Sequence, residues 1–227
     1  MNPLRELLQR SPTHARVAPF FIFLVLTVAQ GAFGADGKYW FYAVKTIVGV
    51  WMLWEMRPLV SEMRWALSWE AVVAGVAMCV LWIALDPYYP MNHIIMKPVP
   101  GDEWVPFERF GEGSTTAWTL IAIRTFGMTI VVPPLEEVFY RSFVYRLFIK
   151  DDWQKVPLGY FAGASLVACS ALFGLMHYQW LPGILFALSM HWLVIRKQRL
   201  GDAMTAHAIT NFLLAVWVVW KDDWKFF

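Results

Sequence analysis

Glu136 and Glu137 stand side by side in Pro133-Pro134-Leu135-Glu136-Glu137-Val138-Phe139-Tyr140-Arg141, with an arginine one helical turn beyond them. Their surroundings read as lipid-facing, and an ionisable group at membrane depth marks function by default. The double proline predicts that the preceding helix breaks and a new one opens. Both carboxylates then fall in a first turn, where the helix dipole favours negative charge. Glu137 and Arg141 are four apart and share a face, in the favourable order. Glu136 is rotated by about 100° from Glu137. One carboxylate therefore has a built-in partner, and Glu136 is left for chemistry.

Two later pairs repeat the one-turn spacing inside apolar segments: Phe173 with His177, and His207 with Asn211. Taken singly, each histidine also reads as a core or interface residue. Together with Glu136 they supply a general base, a second proton carrier and hydrogen-bond donors, the set that water attack on an amide needs. Two histidines and a glutamate could also hold zinc or another divalent metal. The chain lacks His-Glu-x-x-His, and its asparagine and second glutamate suit a hydrogen-bonding site. The favoured reading is metal-free, with no cofactor assigned.

Glu-Glu-x-x-x-Arg (Glu136, Glu137, Arg141), Phe-x-x-x-His (Phe173, His177) and His-x-x-x-Asn (His207, Asn211), in that order on apolar helices, resemble the CAAX-protease and bacteriocin-processing family of intramembrane proteases. The run Gly201-Asp202-Ala203-Met204-Thr205-Ala206-His207-Ala208 is similar to that family's approach to its third motif. The resemblance covers roughly residues 115–220 and departs at Ser142, where many members carry glycine; packing is expected to feel this more than chemistry. It implies a helical bundle with a polar cavity in the membrane. There Glu136, helped by His177, would activate a water, His207 and Asn211 would stabilise the oxyanion, and Glu137 and Arg141 would hold the site. Both metal-dependent and glutamate-type mechanisms have been proposed for the family.

The elements that must position these residues are apolar helices. The chain has 227 residues, 59% hydrophobic and only 16% charged, with mean hydropathy +0.48. A soluble domain carries about 25% charged residues, so the expectation is one all-α integral membrane domain over residues 1–227. Apolar runs at 17–34, 39–56, 71–85, 117–132, 156–177, 181–195 and 203–220 predict seven spans, with the acidic segment as a possible eighth. Tryptophans number 14, as membrane-interface belts require. The run at 17–34 also resembles a signal peptide, but the spans that follow favour a retained helix. Arg5, Arg10 and Arg16 predict a cytoplasmic N-terminus, and the short chain points to a prokaryotic plasma membrane. Residues 86–115 form the longest polar stretch, expected outside as a lid or substrate-facing loop; His93, Pro98, Pro100, Asp102 and Glu103 lie in it.

The remaining polar residues have plainer readings. Lys45 is expected to snorkel or find an internal partner, Arg124 to pair with a buried acid or form part of the site, and His191 to bond between helices in preference to facing the cavity. His14 and His93 read as surface or interfacial. Cys79 and Cys169 read as small buried hydrophobes. Simple counting raises one conflict, because an intervening span puts His177 and His207 near opposite membrane faces.

The functional expectation is an endopeptidase acting on a membrane-associated protein or peptide, with C-terminal processing one form of it. Nothing points to nucleic acid, and nothing fixes an oligomeric state. The rival expectation is a non-enzyme: Glu136, His177 and His207 as a proton or cation relay, or as a polar network in a scaffold or immunity protein.

Overall fold

A computed structural model describes residues 2–92 and 104–227. His93, Pro98, Pro100, Asp102 and Glu103 of the expected outer loop lie outside the described residues. All regular structure among the described residues is helical. In chain order it comprises α1 (Pro3–Gln9), α2 (Pro12–Ala29), α3 (Gly34–Met56), α4 (Trp69–Leu85), α5 (Pro106–Phe110), α6 (Thr115–Leu147), α7 (Gly163–Leu175), α8 (Trp180–Lys197) and α9 (Gly201–Lys221).

Four segments are long and apolar enough to cross a membrane: Pro12–Phe33, Trp69–Tyr88, Thr115–Leu147 and Gly201–Lys221. The count of seven or eight spans came from apolar run length, which ignores where helices end. The run at 156–177 contains a helix of only 13 residues, α7. That is about 20 Å at 1.5 Å per residue, short of a hydrocarbon core of about 30 Å. Helix α3 has the length but carries Asp36, Lys38, Lys45 and Glu55.

The double proline does not break its helix. Residues 115–147 form one continuous helix, with π-helical stretches at Gly127–Val131 and Val138–Val144. The first stretch explains the continuity. The Val132 N–H reaches back five residues to the Gly127 carbonyl. In that register the Met128 carbonyl waits for the N–H of residue 133, which proline lacks. A side chain from another helix takes over that acceptor, as described below.

Close packing sets the rest. A Cβ added at Gly75 of α4 would lie 2.7 Å from the Ala206 carbonyl oxygen of α9. The Thr210 hydroxyl donates to the Gly75 carbonyl across the same contact, at 2.9 Å. Helix α2 stacks on α6 through Phe20 and Phe139, whose ring centroids are 3.9 Å apart. Cys79 and Cys169 are buried free thiols.

Ser142, the departure from the family pattern, anchors a buried polar knot. Arg16 of α2 binds both carboxylate oxygens of Glu62 at 2.8 Å. The Ser142 hydroxyl donates to Glu62 and accepts from Arg16 at 3.2 Å and Arg146 at 2.8 Å. Burial alone would raise the Glu62 carboxyl, but Arg16 and Ser142 outweigh it and hold it below the ordinary range. A depressed carboxyl contributes stability above its unfolded value, about 4.3 for glutamate, and loses it as pH falls through the lower folded value. Acidification from pH 6 towards pH 3 should therefore lower the thermal unfolding midpoint. Glu62→Gln, already weaker at pH 6, should lack this share of the acid loss, which a pH series of unfolding scans will show.

Candidate active site

Helix α6 presents the two carboxylates to different surroundings. The Glu137 side chain is 0% exposed and Glu136 is 21% exposed. Glu137 Oε2 lies 3.1 Å from Arg141 Nε, and Arg141 is equally buried. Glu137 Oε1 accepts from His207 Nδ1 at 2.9 Å. Spacing along one helix reveals the first partner and not the second, which arrives from α9. The Arg141 guanidinium also lies 4.5 Å over the Phe173 ring.

The Glu137 bond sets the histidine's chemistry. A carboxylate only accepts, so His207 Nδ1 carries a proton and Nε2 turns outward. Nε2 lies 3.9 Å from Glu136 Oε2, which has no hydrogen-bond partner among the described residues. That separation is too long for a direct hydrogen bond. A water oxygen beside it can reach both atoms.

His177 lies just past the end of α7, and this resolves the counting conflict. Its Nδ1 donates to the Phe173 carbonyl at 2.7 Å, which leaves Nε2 as a base. Its ring stacks on Phe173 at 4.5 Å, and the same phenyl ring meets His207 at 6.5 Å. Glu136, His207 and Arg141 are all within electrostatic reach of His177. Asn92 staples the turn that carries it, donating from its side chain to the Leu175 carbonyl at 2.9 Å and from its backbone to the Tyr178 carbonyl at 3.0 Å. Trp82 and Phe186 complete the apolar wall, with centroids 5.9 Å from His177 and 4.8 Å from His207. No polar signal in the sequence marks either aromatic residue.

Asn211 does something its spacing does not announce. Its Nδ2 donates to the Met128 carbonyl at 2.8 Å, the acceptor that Pro133 cannot serve. The amide therefore ties α9 to the π-turn and keeps one N–H for other work. Asn211→Leu should cost about 1–3 kcal/mol through the orphaned carbonyl. Adding Pro133→Ala, which restores a main-chain donor, should recover part of that stability in thermal unfolding. Activity should stay low in the double variant if the second amide N–H meets substrate.

Glu136, Glu137, Arg141, Phe173, His177, His207 and Asn211 thus occupy one neighbourhood, built by α6, α9 and the turn after α7. Residues 117–213 match the Rce1-like family model, type II CAAX prenyl endopeptidase Rce1-like, and the match contains all seven. The site-bearing segment is similar to this CAAX-protease family. The helix-rich N-terminal region lies outside the match. No curated protein and no solved structure matches the chain. With four helices long and apolar enough to cross a membrane, the protein is an integral membrane protein whose segment 117–213 is similar to a peptidase family.

Two polar residues depart from expectation. His191 makes no interhelical bond through Nε2, which has no partner among the described residues; its ring rests on Tyr145 at 4.7 Å. Arg124 meets no acid among the described residues and faces aromatic rings instead. His14 is exposed and bonds Ser11 at 2.6 Å. Among the described residues no three His, Cys, Asp or Glu side chains gather as a metal-ligand set. His177 and His207 each spend Nδ1 on a protein acceptor and keep Nε2 for the site.

Proposed function

We propose that this protein is an intramembrane endopeptidase that hydrolyses a peptide bond in a membrane-associated protein or peptide. One observation carries the reading: a partly open Glu136 carboxylate with an unpartnered oxygen faces His207 Nε2 beside a buried Glu137–Arg141 pair. Glu136 takes a proton from a water, and the water oxygen bonds to the peptide carbonyl carbon. The carbonyl electron pair moves onto oxygen, where the Asn211 amide and His207, protonated on both nitrogens, stabilise it. The pair then returns, the C–N bond breaks, and the amine leaves with the proton handed on from Glu136 through His177. Glu137 fixes the ring and tautomer of His207, and Arg141 fixes Glu137.

The basic leader supports an N-terminus in the cytoplasm. C-terminal processing is the form that the family description supports. The test is product mapping by mass spectrometry: purified protein in lipid nanodiscs with a panel of membrane-anchored peptides, with and without chelator. A new C-terminus made only with protein, at equal rate under chelator, is the expected result. Loss under chelator with recovery on added metal would overturn the metal-free step. No cut in any peptide would overturn the peptidase reading.

A further inference from the structure

Three turns before Glu136, α6 carries a second charged group that the proposed chemistry does not use. The Arg124 guanidinium is boxed by the rings of Trp104 at 4.6 Å, Tyr42 at 4.8 Å and Phe227 at 5.1 Å. Lys45 caps the other cation contact of Tyr42, with Nζ 4.3 Å from the ring centroid. Lys45 is 4% exposed and bonds only the neutral Thr27 and Gln30 oxygens, at 3.3 and 3.2 Å. Among the described residues neither cation forms an ion pair with a carboxylate. Aromatic faces offset some of that charge, at about 0.5–2 kcal/mol per contact.

The unspent hydrogen-bonding capacity is all of one kind. Arg124 Nε is buried without a partner. So is the indole N–H of Trp104, a residue 5% exposed. Two cations and two idle donors around a shared aromatic wall match an oxyanion, and an arginine edge binds a carboxylate in a planar, paired fashion.

Register connects this group to the catalytic one. Twelve residues separate Arg124 from Glu136, and the π-turn between them absorbs one as a bulge. Eleven regular steps of about 100° bring Arg124 to within about 20° of the Glu136 direction, about 16 Å away along the axis. An extended chain covers that distance in about five residues at 3.3 Å each.

We infer that Arg124 and Trp104, with Lys45 behind them, receive the free C-terminal carboxylate of a peptide whose scissile bond lies about five residues upstream, at Glu136. The identity of the ligand rests on the peptidase reading; the anion preference does not.

The test is binding, so that it stands apart from catalysis. A dansylated apolar hexapeptide with a free carboxylate, and the same peptide ending in a carboxamide, are titrated by fluorescence anisotropy. The protein is the full chain carrying Glu136→Gln, in neutral phosphatidylcholine nanodiscs. The acid should bind at least tenfold tighter than the amide. Adding Arg124→Gln should shrink that preference below twofold, and Trp104→Phe, which removes the indole N–H and trims the ring, should weaken it by about threefold. Equal binding of acid and amide, no binding of the acid, or a preference that survives Arg124→Gln would overturn the inference. So would Arg124-dependent thermal stabilisation by phosphatidylglycerol without an acid preference, which would reassign the receptor to a lipid phosphate. If the acid preference holds while no peptide is ever cut, the peptidase reading fails and the anion receptor stands.

Discussion

Glu136→Gln will lower peptide-bond hydrolysis by about 10²–10⁴-fold, the range that a positioned general base contributes. Glutamine keeps the shape and the hydrogen bonds but cannot take a proton from water. The loss should fall on kcat and kcat/KM alike, because the base acts in the transition state and does not bind the peptide. Thermal unfolding should move by no more than about 0.5 kcal/mol, since Glu136 is partly open and its Oε2 bonds nothing among the described residues. The check is single-turnover cleavage and unfolding of both proteins in the same nanodiscs. A variant that cuts at the wild-type rate removes Glu136 from the chemistry. A variant that unfolds far earlier gives Glu136 a structural part that its surroundings do not show.

What could be read from the chain and what could not follow a physical line. Contacts within one helix were legible: Glu137 and Arg141 meet because four residues make about one turn. Helical class and membrane character were legible from composition. Contacts between helices were not, so His207 as the second partner of Glu137 and Phe186 as its wall came only with packing. The span count is not confirmed where apolar residues continue past a helix end, as in the run containing α7. Proline is a reliable breaker only while no other group can serve the carbonyl it abandons. Here the π-turn moves that debt to Met128, and Asn211, 83 residues away, supplies the missing donor. The same gap hid the role of Ser142. A serine in place of glycine is uninformative until Glu62, Arg16 and Arg146 are seen to converge on its hydroxyl.

Glu137→Gln should cost about 3–5 kcal/mol of stability, the penalty for breaking a buried ion pair on one side. Arg141 cannot shed its proton and would be left as an unpaired cation at 0% exposure, with Phe173 as its neighbour. Arg141→Met should cost less, because the carboxylate it orphans keeps its His207 bond. The double variant should resemble Arg141→Met, which makes the pair strongly non-additive. Reversible unfolding of the four proteins in one lipid background measures this cycle. Additive losses would mean that Glu137 and Arg141 are solvated independently. Activity gives the second reading: all three variants should be slow, because each frees the ring of His207 or the anchor behind it. Only Glu137→Gln and the double variant exchange the anion behind His207 for a neutral amide, which removes the negative charge that faces its ring. A larger activity deficit in those two than in Arg141→Met, at temperatures where all are folded, would separate the electrostatic part of Glu137 from its scaffolding part.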